Sequence, residues 1–212
     1  GDGVHVRFGG TNNAILSNSI FSNNGLGINL GSDGVTLNDL GDGDSGTNNL
    51  QNFPVITSAT TLGGLAVSGT LNGTPGTVFR LEFFADDTVD PSGYGEGNMV
   101  LGFLNVTTDP NGDARFLFTG GMSILPGQHV TATATDPGGN TSEFSKSVKV
   151  EMVSITVDET ITVSDTSNVV PPAVIAIGEV IKVNDSPKTV LPAEIIVDES
   201  IMVRDTLQLT QK

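Results

Sequence analysis

Apolar and polar residues alternate along most of this chain with a period of two, which predicts short β-strands joined by tight turns. Val78-Phe-Arg-Leu-Glu-Phe-Phe84 sets Phe79, Leu81 and Phe83 on one face, and Val130, Ala132 and Ala134 alternate with threonine in the same way. In the last third the alternation is itself repeated every 20 residues. Ile155-Thr-Val-Asp-Glu-Thr-Ile-Thr-Val-Ser-Asp165 returns as residues 175–185 and again as 195–205, with Pro172-Ala173 returning as Pro192-Ala193. A fixed period of that length marks an array whose units bury their faces against neighbours.

Strand-like runs stand near 54–61, 65–72, 77–86, 98–108, 114–119, 129–136 and 143–150. Turn signals separate them, among them Gly63-Gly64, Asn72-Gly73, Asn111-Gly112 and Pro137-Gly-Gly139. Seven short strands over about 100 residues predict an Ig-like β-sandwich across 53–150. Before it, residues 1–52 carry short apolar pairs between Asn/Gly corners. Gly3-Val4-His5-Val6 is answered 22 residues later by Gly25-Leu26-Gly27-Ile28, as the end of a parallel β-helix requires. After it, 151–212 holds three 20-residue β-repeats. In each repeat a glutamate (Glu159, Glu179, Glu199) falls in the apolar row. Either the strand bends at Asp158-Glu159 and its equivalents, the reading we favour, or that face is half-solvated. The fold class expected is all-β, in three segments.

The stretch Asn38-Asp-Leu-Gly-Asp-Gly-Asp-Ser-Gly-Thr-Asn-Asn-Leu-Gln-Asn-Phe-Pro-Val55, the motif Asp90-Pro-Ser-Gly-Tyr-Gly-Glu-Gly97 and the run Thr131–Ser145 together resemble secreted bacterial right-handed parallel β-helix repeat proteins. The resemblance covers about residues 1–150. It implies final β-helix rungs followed by an Ig-like sandwich, and a location outside the cell or on its surface.

Composition narrows the function. Hydrophobic residues make up 37% of the chain, enough to fill a core, while Asp and Glu (24) outnumber Lys and Arg (9) for a net charge of −15. Such a surface repels nucleic-acid phosphates and anionic lipids and attracts divalent cations. There is no cysteine, hence no disulfide and no thiolate metal site, and no run of 18 apolar residues to span a membrane. The chain opens without an initiator Met or a signal peptide, which reads as processing or as part of something longer.

Catalytic chemistry is poorly represented. The two histidines, His5 and His129, both fall in strand-like positions outside any Ser or Asp motif. Paired carboxylates for sugar cleavage would need several consecutive rungs. The densest chemistry is the acidic loop with Asp39, Asp42, Asp44 and Asn48, where alternating carboxylates and glycines can converge on calcium through oxygen ligands. The competing reading is a solvated linker. Asp86-Asp87-Thr-Val-Asp90 and Asp109-Pro-Asn-Gly-Asp113 are weaker, the second reading best as a hairpin turn.

Val4, Val6, Ile15 and Ile20 would face whatever stacks on the first rung, and Ile195, Val197, Ile201 and Val203 would face whatever follows the last repeat. These eight residues are the expected self-association positions. The expected function is a non-catalytic extracellular structural protein, not an enzyme, whose partner is itself. Alternatives are a passive stalk or adhesin module of a larger secreted protein and, behind it, an accessory domain for cell-surface glycans. An exposed aromatic platform would favour the last, but there is no Trp and only Tyr94.

Overall fold

Phe79, Leu81 and Phe83 have no solvent exposure in the computed structural model, so the alternating row reads directly as a core face. The structure describes residues 1–31, 34–61, 64–120 and 124–152, with two short strands beyond them. It separates into two compact units, Gly1–Val153 and Ser154–Lys212. Among the described residues there is no α-helix, and none long and apolar enough to cross a membrane.

In the first unit, β1 (Val4–Val6) pairs in parallel with β2 (Ile28–Leu30). The next six strands are β3 (Val55–Thr61), β4 (Leu65–Asn72), β5 (Val78–Asp86), β6 (Met99–Thr107), β7 (Asp113–Gly120) and β8 (His129–Thr135). Two very short ones follow, β9 (Val148–Lys149) and β10 (Glu151–Met152). They form two four-stranded sheets, ordered β10-β3-β4-β7 and β6-β5-β8-β9. Both sheets turn apolar rows into one core, where Phe83 of one sheet stacks on Phe118 of the other at 4.3 Å and meets Phe116 edge-on at 5.5 Å.

The first six sandwich strands lie where alternation and turn residues place them. The seventh differs: 143–150 is not one regular strand. Ser142 and Ser145 sit beside β8 and accept the Ala134 and Ala132 N–H groups through their hydroxyls, at 2.9 and 3.0 Å. Side chains thus replace backbone carbonyls in the ladder, and pairing becomes regular only at Val148–Lys149. The chain then crosses at Val150, 1% exposed, to join the other sheet as β10, parallel to β3. One short segment closes that side of the sandwich.

The spacing of the first parallel pair is also corrected. Val4 pairs with Ile28 and Val6 with Leu30, an offset of 24 residues instead of 22. A shift of two keeps every side chain on its face, so both registers satisfy the same pattern. The pair's apolar side chains do not stand free. Val6, Ile28 and Leu30 form a second cluster with Phe84 and Phe144 of the sandwich, and Val4, Ile15 and Ile20 pack against it half-buried.

In the second unit, β11 (Ile175–Ala176) pairs in parallel with β12 (Ile195–Ile196), Ile175 opposite Ile195. That offset equals the sequence repeat. Val197, Ile201 and Val203, with Glu159, Glu179 and Glu199, lie outside the described residues.

Candidate functional site

Two polar constructions stand out in the first unit, the acidic loop and a set of buried glutamates. The loop of residues 38–53 is closed by asparagines acting as substitute backbone. Asn38 donates to the Phe53 carbonyl at 2.8 Å and accepts the Phe53 N–H at 3.0 Å. Asn52 does the same for Asp39, and its Nδ2 also reaches the Asn72 carbonyl at 2.9 Å. Asn72 in turn accepts the Gly41 N–H and donates to Asp113, tying the loop to the end of the β4–β7 pair. These reciprocal bonds are why Asn recurs here: its side chain offers the donor and acceptor of a peptide group.

Within that frame Asp39, Asp42 and Asp44 each bring a carboxylate oxygen within 4.8 Å of the others. Asp42 accepts the Asn52 N–H at 2.7 Å and holds a left-handed backbone, φ 55°. Burial pushes its carboxyl up to about 6, against that hydrogen bond, and the charges of Asp39, Asp44 and Asp136 push the same way. Asp44 is also raised, by desolvation and then by Asp39. Carboxylates crowded to that degree fit a hard cation, since calcium takes oxygens at about 2.3–2.6 Å and tolerates irregular geometry. With one oxygen each, three side chains supply at most half of a calcium shell, so water or carbonyls would complete it.

Asp42 carries a pH prediction. A carboxyl raised on folding costs stability when ionised, so the cost is present above about pH 6 and disappears towards pH 4. Asp42→Asn keeps the acceptor for Asn52 and removes the charge. It should stabilise the metal-free protein at pH 7 by on the order of 1 kcal/mol, with solvent screening at this half-exposed site taken into account, and change little at pH 3.5. Urea denaturation at the two pH values reads the difference.

Asn48 does not join the cation loop. It is fully buried in a left-handed turn, Thr47–Leu50, with φ 47° at Asn48 and 53° at Asn49. Its Oδ1 accepts from the Asn13 backbone and side chain at 3.0 Å, and its Nδ2 donates to the Asn13 and Thr141 carbonyls at 2.9 Å. The asparagine is a rivet between the N-terminal segment and the sandwich. With Gln51 and Asn52 also buried, 47–52 is no solvated linker.

The second construction was not foreseen. Three glutamates rise from the sandwich and accept from the N-terminal segment. Glu82, on β5, accepts the Ser17 N–H at 2.7 Å and hydroxyl at 3.0 Å, while Arg80 bonds it at 2.7 Å and lies over the Phe103 ring at 3.7 Å. Glu96 accepts the Asn23 N–H at 3.0 Å. Glu143 accepts the Leu30 and Thr36 N–H groups at 2.8 and 2.9 Å. All three are buried. Burying carboxylates is costly unless hydrogen bonds compensate, and here they satisfy strand-end and corner N–H groups that no ladder pairs. For Glu82 the sequence trace is a Glu at an outward strand position, which looks the same as a solvated one, while Glu96 and Glu143 lie outside the strands.

The histidines occupy structural places. His5 bonds the Gly31 carbonyl through Nε2, and its Nδ1 lies 3.1 Å from Asp2 and 3.1 Å from Arg7 Nε. The Nδ1 of His129, on β8, is buried without a hydrogen-bond partner. Tyr94, the only tyrosine, packs edge-on against Phe53 at 5.5 Å. A shallow cleft of about 360 Å³ runs past Phe21, Asp86, Asp87, Asp90 and Glu96, but these carboxylates do not converge as the loop's do. Compared with known proteins, the chain matches no family model and no curated sequence.

Proposed function

We propose that this chain is a non-catalytic structural protein of the cell exterior, a building block that joins copies of itself by β-strand addition. The observation carrying the proposal is parallel pairing one repeat apart, Ile175 opposite Ile195 at the 20-residue period. Units that pair in parallel at their own repeat grow by adding identical strands, because each leaves an edge equivalent to the one it covered. The first rung pairs in parallel too, Val4 opposite Ile28. Since Val4, Val6, Ile15 and Ile20 pack on Phe84 and Phe144, association at that end runs through strand edges more than through those side chains.

The finer fold belongs to the same proposal. The rung is read as the end of a right-handed parallel β-helix, and the sandwich as Ig-like. The first, second and fifth sandwich strands share one sheet, the third, fourth and sixth the other, and the closing segment borders both. The resemblance of residues 1–150 to secreted β-helix repeat proteins supports an extracellular or cell-surface location. Calcium enters as the ligand of Asp39, Asp42 and Asp44, a charge-relieving ion for the loop.

A second reading, a stalk or adhesin module of a larger secreted protein, is favoured by the glutamate and asparagine clamps. They fasten rung to sandwich as a stiff joint. Negative-stain electron microscopy of the purified chain, with and without millimolar calcium, separates the two. Regular filaments are expected, and their loss in Ile195→Pro would place the joint in the repeats, where proline removes a ladder donor. Dispersed particles under both conditions would leave the module reading.

A further inference from the structure

The two outer faces of the sandwich are unlike. The outer face of β6-β5-β8-β9 is covered by the N-terminal segment, through Glu82, Glu96 and the cluster around Phe84. The outer face of β10-β3-β4-β7 carries no such cover among the described residues. Its two middle rows are Val55–Thr70–Arg115 and Ser58–Ser68–Leu117. Val55 and Leu117 are 47% and 60% exposed. The next row runs from Thr119 through Ala66 and Thr60 to Glu151 on β10.

We infer that this face is a lateral contact between two copies of the chain. The inference rests on the self-association reading and names a surface for it. A net charge of −15 makes copies repel over most of their surface. Here the middle rows hold no carboxylate and one cation, Arg115, while the acidic groups Asp113 and Glu151 stand at the margins. Arg115 lies on one edge strand and Glu151 on the other, three strand spacings and four residues apart. That separates their backbones by about 14 Å across the sheet and about 13 Å along it. A two-fold axis in the plane of contact, perpendicular to that diagonal, sets Arg115 of each copy over Glu151 of the other. One rotation therefore makes two opposite-charge pairs around a neutral centre of Leu117, Val55 and hydroxyls, as an isologous interface requires.

The area sets the strength. Four strands of this length cover roughly 450 Å² per copy, below the ~800 Å² per partner of a stable dimer. The contact is weak alone and gains its effect by multiplication between units already held in an array.

Sedimentation equilibrium of the full chain over a wide concentration range tests this. Leu117→Glu puts a carboxylate in the neutral centre and should weaken association at least tenfold. Arg115→Glu and Glu151→Arg should each weaken it, and the double variant should restore it, with unchanged circular dichroism since all three positions are exposed. Association unaltered in Leu117→Glu, or a double variant as weak as the singles, would overturn this contact and leave self-association standing. A native chain that stays monomeric throughout would remove both.

Discussion

Replacing Glu143 with alanine should cost the protein about 3–5 kcal/mol, seen as a lower urea midpoint for the first unit. The glutamate is 2% exposed and accepts the backbone N–H groups of Leu30 and Thr36. Removing it strands the buried Leu30 donor, worth about 1–3 kcal/mol when left unsatisfied, and the half-buried Thr36 donor at a lower cost, and leaves a cavity besides. Glu143→Gln is the informative companion. It keeps the volume and one acceptor but turns an amide NH₂ towards the other N–H, so it should recover part of the loss and not all of it. If alanine cost no more than about 1 kcal/mol, the clamp would not be what seats the N-terminal segment.

Asn48→Ala should destabilise by about 3–4 kcal/mol, acting on the joint between the N-terminal segment and the sandwich before the sandwich itself. Four hydrogen bonds leave with the side chain, and alanine must then hold φ 47°, a region asparagine tolerates and alanine resists. Hydrogen exchange should show the Asn13 amide, and the Ile15 amide bonded to Thr141 at 2.9 Å, losing protection while the β5 core amides keep theirs. Equal loss in both regions would mean that the N-terminal segment and sandwich unfold as one.

Together the two variants separate what the N-terminal segment contributes from what the two-sheet core contributes. The core rests on apolar burial, with Phe83 between Phe116 and Phe118, and does not depend on the N-terminal segment for its inner face. The outer face of β5 does depend on it. Phe84 is 2% exposed because Phe144 and the side chains of β1 and β2 lie over it.

The sandwich strands could be read from the chain because their information is local. Alternation assigns a face to each residue of β4, β5 and β7, and Asn111-Gly112 or Pro137-Gly-Gly139 ends a strand wherever it occurs. The same local rule misses the 24-residue register of Val4 and Ile28, because shifts of two preserve alternation and only the corner path between them chooses. It misses the broken strand before Val148, since a serine hydroxyl that replaces a carbonyl is visible only beside the N–H it serves. The acidic loop was legible as a composition. Asp39, Asp42 and Asp44 did converge, while Asn48, equally plausible by type and spacing, turned to Asn13 and Thr141.

The sequence by itself determined an all-β chain, the places of six sandwich strands and the 20-residue period of the tail, because strand periodicity, turn residues and repeats are properties of neighbours along the chain. Only the tertiary structure decided that Glu82, Glu96 and Glu143 are buried clamps and that, among the described residues, one sandwich face is covered and the other is not. A carboxylate's burial depends on which distant N–H groups arrive to meet it. No pattern around residue 143 encodes the approach of residues 30 and 36.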